Sequence, residues 1–221
     1  MGADGRRHGR RTGLMDFTEV DAAVLERILR WRRDVRHFRD APLEEAQVAM
    51  LAQAMDLAPS VGNARPWRVI RVEDLGLRRA VHDNFLAANT HAADAYAGQR
   101  REDYDRLKLA GLDHAPLQLA VFTLVDPREG HGLGRRTMPG TLHASTAMAI
   151  HAMWLAARAA NLGLGMVSIL DPAAVERLLD VPQGWEFSAY LCIGHPEFVD
   201  DTPLLHRAGW QETIAHPWET R

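Results

Sequence analysis

Cysteine is nearly absent from this chain of 221 residues, with Cys192 standing alone. A single thiol excludes an intrachain disulfide framework and any cysteine-built zinc cluster, and it suits a reducing, cytoplasmic setting. Within the apolar run "FSAYLCIG" it reads as a small buried hydrophobe rather than a reactive group. An excess of charge is also missing. The net charge of -3 gives no support to nucleic-acid binding. Nor is there a clean membrane span: Leu142 to Ala160 has the length, but His143, His151 and Arg158 interrupt it, so it reads as a helix buried in protein. Those histidines are not four residues apart and carry no acidic partner at ligand spacing, so no metal site is expected. There is no G-x-S-x-G elbow and no Walker motif. Gly163 and Gly165 follow a helix and precede a strand, the reverse of a dinucleotide fingerprint.

What is present is an ordinary globular composition, 47% hydrophobic and 25% charged, at a length that favours one domain. The opening "MGADGRRHGRRTG" has no apolar stretch of a secretory signal. Residues 1–17 are expected to form a flexible extension and residues 18–221 a single domain.

Apolar residues recur at helical spacing from Val20 to Leu29 and again from Leu43 to Met55, with "RRDVR" read as the turn between two helices. "RPWRVIRVED", "PLQLAVFTLVD", "LGMVSIL" and "EFSAYLCIG" read as strands, and Ser168 falls in the third of these. Asp74 and the pair Asp171-Pro172 are helix starts, whereas Gly163 is the expected left-handed cap of the long helix. Ala87 to Lys108 is polar with weak periodicity and reads as a mobile excursion or lid. About six helices around four or so strands make an α+β sandwich.

Three segments invite chemistry. Arg32, Arg33, Arg36 and Arg39 crowd around Asp34, and cations so close repel unless an anion sits among them. Guanidinium forks suit a phosphate, although solvation or pairing with Asp40, Glu44 and Glu45 is the alternative. The loop "APSVGNARPWR" offers Ser60, Asn63 and backbone N–H groups to a planar heterocycle, or is a plain turn. Ser168 is either a core serine bonded to backbone or a site residue.

Taken in order, "RRDVRHF", "APSVGNARPWR", "LKLAGLDHAP", "GRRTMPGTLHASTAMAIHAMWLAARAANLGLGMVSILDP" and "LCIGHPE" to "LLHRAGW" resemble the flavin-dependent nitroreductase superfamily, from about Val24 to Gln211. Asp34, "GRRTMP" and "VSILDP" point within it to the 5,6-dimethylbenzimidazole synthase branch. The resemblance implies a three-layer FMN-binding sandwich with a mixed, mainly antiparallel sheet of four to five strands. It implies Arg32, Arg33, Asp34, Val35 and Arg36 on the phosphate and ribityl chain of FMN, Ser60 and Ser168 against the flavin, Leu109 in the segment covering it, and Arg207 as a further phosphate contact. Asp34 and Ser168 are the implied catalytic residues, Asp34 as a base near ribityl C1′. Met166 departs from the branch's usual aromatic, and Arg65 from its usual Gln.

The activity so implied consumes reduced FMN and O2 and yields 5,6-dimethylbenzimidazole and D-erythrose 4-phosphate, with a separate NAD(P)H-dependent flavin reductase supplying electrons. A homodimer is implied, with neither nucleic acid nor membrane as partner. The competing readings are an ordinary NAD(P)H nitroreductase or flavin reductase and a non-catalytic FMN carrier.

Overall fold

The structure, a computed structural model, describes residues 15–107 and 111–221. Helix α1 (Glu19–Trp31) begins at Thr18, whose hydroxyl accepts the Asp21 N–H while the Asp21 carboxylate accepts the Thr18 N–H, a capping box. The chain then passes to α2 (Glu45–Asp56), a single 3-10 turn at Val61–Asn63 and β1 (Trp67–Arg71). Asp74 caps α3 (Leu75–Ala93) by accepting the Leu77 N–H at 2.8 Å, as its place before the apolar pattern predicts. Then come α4 (Gly98–Arg106), the single turn α5 (Gly111–His114), β2 (Leu117–Leu124) and, after a glycine-rich loop, α6 (Thr141–Ala159). β3 (Gly163–Val167), α7 (Pro172–Leu178), β4 (Trp185–Gly194) and α8 (Leu204–Arg207) follow, with Asp171 and Pro172 at the cap and first position of α7.

The four strands lie in the order β1-β2-β4-β3, and each neighbouring pair is antiparallel. Period-two alternation gives the sheet two apolar faces. Leu117, Leu119 and Val121 of β2 join Leu51, Met55, Ile150 and Met153 beneath α2 and α6. Ala120 and Phe122 turn the other way, onto Val81 and Phe85 of α3 and Val175 of α7. Helices on both faces make the expected three-layer α+β sandwich. No helix among the described residues is long and apolar enough to cross a membrane.

Four expectations change. "RRDVR" is not a turn: it runs extended, with a parallel bridge from Asp34 to Leu164, the one parallel pairing among the described residues beside an otherwise antiparallel sheet. β3 ends at Val167, so Ser168 lies beyond the strand and is exposed. The left-handed cap of α6 is Asn161, with φ 59°, while Gly163 has its Cα against Val35, where an added Cβ would come within 2.8 Å of Val35 Cγ1. Ala87 to Lys108 is no polar excursion over its described part: it holds the end of α3 and all of α4. Tyr96 and Tyr104 stack there at 4.9 Å, Trp210 meets Tyr96 edge-on at 5.3 Å, and the Arg100 guanidinium lies 4.1 Å over the Trp210 ring. Tertiary burial of these aromatics overrides the polar composition by which the stretch was read.

Candidate active site

β3 supplies the floor. Its two glycines leave room for a second backbone, since a Cβ at Gly165 would sit 2.1 Å from the Val35 carbonyl oxygen. The Arg32–Arg36 segment therefore lies directly on the strand. Val35 N–H donates to the Leu164 carbonyl at 3.1 Å, and Met166 N–H donates to Asp34 Oδ1 at 3.0 Å. The other Asp34 oxygen, Oδ2, accepts from Arg36 Nε at 2.9 Å. Both carboxylate oxygens are thus oriented, yet an ionised carboxylate offers about four acceptor positions, so each retains capacity for a ligand.

Around this carboxylate the arginines are arranged by distant parts of the chain. Arg33 Nε donates to the Asp201 carbonyl at 2.7 Å. Arg207, on α8, pairs with Asp200 at 3.0 Å. Arg32 lies against α6, its guanidinium 4.8 Å from the centre of the Trp154 ring. Burial first, and the charge of Arg33 next, pull Arg32 below its ordinary value. Arg32, Arg33, Asp34, Val35, Arg36 and Arg207 line one cleft between the segment on β3, α6 and the residues before α8. The alternative partners Asp40, Glu44 and Glu45 are not among the residues that line the cleft, and Glu45 pairs with Arg71 instead.

Two features of that cleft point to an anion. Five guanidinium groups, that of Arg158 on α6 among them, line the cleft against a single carboxylate of the same segment and one from Asp200, leaving positive charge in excess. Among the described residues three buried side-chain polar atoms lack a hydrogen-bond partner, and two of them, Arg32 Nε and Trp154 Nε1, belong to this cleft. Each unmet buried donor costs about 1–3 kcal/mol. The donor set fits a phosphate ester, whose oxygens accept from several guanidinium forks at once.

The remaining expected residues lie elsewhere. Ser168 is two residues past Met166, roughly 7 Å along an extended chain. It lines a separate hollow with Asn84 and His91 of α3. Its exposure disposes of the core-serine alternative. Ser60 accepts the Arg65 N–H at 3.0 Å, and the neighbouring Val61 N–H donates to Ser145 of α6, so this loop is tied to the start of α6 rather than to the arginine cleft. Arg65 Nη2 donates to the Asp56 carbonyl at 2.7 Å at the end of α2, which accounts for this departure from the usual residue without a ligand. Leu109 lies outside the described residues. Cys192 is buried on β4, and burial pushes its thiol well above the ordinary range, in keeping with an inert side chain.

Sequence reasoning missed Trp154 and Arg158, which reach the cleft from α6, and Phe198, Asp200 and Thr202 from the segment after β4. Trp154 and Arg158 are four residues apart in an alanine-rich helix, a signal visible in the sequence once a cleft is sought on that face.

Comparison with known proteins agrees with this architecture. The profile of the Nitroreductase family matches residues 29–195. A 5,6-dimethylbenzimidazole synthase of Rhodobacter capsulatus is 64% identical over 207 residues, covering 94% of this chain and 100% of the relative. One from Rhodospirillum rubrum is 52% identical over 193 residues, covering 87% of this chain and 92% of the relative. Among solved structures, oxidized iodotyrosine deiodinase bound to FMN and 3-iodo-L-tyrosine superposes with a TM-score of 0.70 at 21% identity, over 89% of this chain and 97% of that one. A nitroreductase with bound FMN from Desulfitobacterium hafniense superposes with a TM-score of 0.60 at 18% identity, over 85% and 93%. With the match spanning most of the domain and the fold shared, the chain belongs to the nitroreductase family.

Proposed function

We propose that this protein is a 5,6-dimethylbenzimidazole synthase, which takes reduced FMN and O2 as substrates and releases 5,6-dimethylbenzimidazole and D-erythrose 4-phosphate. The observation that carries the reading is the single carboxylate of Asp34 pinned among Arg32, Arg33 and Arg36 on the glycine floor of β3. The identity of 64% to a synthase over that relative's whole length supports it.

FMN, when bound, would supply the redox chemistry and the carbon that becomes product. The chain's own contribution is positional and electrostatic. Arg32, Arg33, Arg36 and Arg207 would hold the phosphate and orient the ribityl chain alongside Val35. Asp34, held at both oxygens but not saturated, would take a proton from ribityl C1′. Ser168 would hydrogen-bond the flavin, and Ser60 and Leu109 would contact it. The arginine cleft holds neither Ser60 nor Ser168, so in this reading a homodimer brings groups of both subunits to one flavin. The exposed apolar residues Val24, Leu25 and Leu29 of α1, a helix with no buried residue, support such a pairing. Electrons would come from a separate NAD(P)H-dependent flavin reductase.

The test is to reduce excess FMN in the presence of the protein, admit air and follow 5,6-dimethylbenzimidazole by mass spectrometry. Wild type is expected to form it with matching loss of FMN. Asp34→Asn is expected to be slower by at least about 100-fold, the usual worth of a general base. Ser168→Ala should slow product formation more than it weakens FMN binding. FMN that reoxidises intact with wild type would sink the synthase reading and return the protein to the ordinary nitroreductases or the flavin carriers.

A further inference from the structure

Trp154 lies in the C-terminal half of α6 and is half-buried at the wall of the arginine cleft. Its ring is the surface on which the Arg32 guanidinium lies, 4.8 Å from the ring centre. The Nε atom of Arg32 and the Nε1 atom of Trp154 are both buried without an acceptor. Arg32 has no described carboxylate within ion-pair distance and no described side-chain acceptor, whereas Arg36 has Asp34, Arg207 has Asp200, Arg33 donates to the Asp201 carbonyl, and Arg158 donates to Asn161 Oδ1. The least satisfied cation of the cleft is therefore held by an aromatic face instead of an anion. A planar guanidinium lying on a ring keeps its in-plane donors available, while a carboxylate partner would consume them.

We propose that Trp154 is a positioning residue for the anion site: its indole face holds Arg32 with free donors, so that the cleft selects the phosphorylated flavin, FMN, over riboflavin. The inference rests on the reading of this cleft as the FMN phosphate site, and it goes further by assigning the selectivity to a residue on the central helix. A carboxylate at this wall would neutralise Arg32 and compete with the ligand. An aliphatic residue would leave Arg32 free to swing away, and its ordering would then be charged against binding.

The experiment measures equilibrium binding of oxidised FMN and of riboflavin to the full chain by quenching of flavin fluorescence, for wild type, Trp154→Leu, Trp154→Phe, Arg32→Ala and the double variant Arg32→Ala/Trp154→Leu. Trp154→Leu is expected to bind FMN about tenfold more weakly, between the worth of an exposed and of a desolvated cation–ring contact, with riboflavin binding unchanged within about twofold. Trp154→Phe keeps a ring face and is expected to stay within about threefold of wild type. The double variant should bind FMN no more weakly than Arg32→Ala, because both changes remove one arrangement. Equal losses for FMN and riboflavin in Trp154→Leu, or additive losses in the double variant, overturn the proposal. Failure of the underlying reading looks different: wild type itself would then bind FMN and riboflavin alike. Should Trp154→Leu not fold, Arg32→Lys tests the same contact, since it keeps the charge and loses the planar stack. A loss of about tenfold confined to FMN supports the proposal, and wild-type affinity overturns it.

Discussion

Asp34 illustrates how much a single side chain is asked to do in this fold. One oxygen receives a backbone N–H of β3 and the other a guanidinium, so the residue is both a structural pin and a candidate base. Asn at this position keeps an acceptor for Met166 but loses the charge, which separates the two roles better than Ala would. Asp200 is the second carboxylate at the cleft. The Thr202 N–H, and then the charge of Arg207, hold it below the usual carboxylate range. Because its folded value is depressed, the stabilisation it gives is present above about pH 4 and is lost as the pH falls through that lowered value. Asp200→Asn is therefore expected to lower the thermal midpoint at pH 7, and the difference from wild type should shrink as the pH falls below about 4 and vanish once the carboxylate is protonated in the folded state. A midpoint difference that persists in acid would show that the loss has another origin.

At the scale of elements, the site depends on how closely one extended segment approaches one strand. Gly165→Ala places a methyl group 2.1 Å from the Val35 carbonyl oxygen, and backbone on both sides leaves no flexible atom to give way. The segment must lift, and the cost is expected to be about 2–3 kcal/mol, at the upper range for overpacking. Urea unfolding measures that loss, and an accompanying loss of FMN binding would show that the arginines moved with the segment. Much of the element pattern was legible beforehand because its signals are local: Asp74, Asp171 and Pro172 announce helix starts from their own side chains. What escaped was set by tertiary contact. Gly163 read as a helix cap, yet Asn161 turns the chain while Gly163 makes room for Val35. Tyr96 and Tyr104 read as polar-stretch residues because their partner, Trp210, lies more than a hundred residues away. Arg32, Arg33 and Arg36 were legible as a cluster, although Arg39 is exposed outside the cleft, whereas the tryptophan behind Arg32 was hidden in the regular spacing of a core helix.

For the whole molecule, the open question of assembly has a direct measure. A homodimer predicts a mass in light scattering near twice 24.7 kDa. Leu25→Glu with Leu29→Glu, which set charge on the exposed apolar face of α1, should shift the mass toward one chain and weaken FMN binding together; a monomeric wild type would remove this part of the reading. A last consequence follows from where the Arg32–Arg36 segment lies. β3 is the outermost strand of the sheet, and its free side is met by Val35 and Asp34. The ligand-gripping segment thus also masks a strand edge whose exposed backbone would otherwise template pairing with another chain. Variants that detach this segment should appear as aggregates on expression before they can be assayed as inactive enzymes.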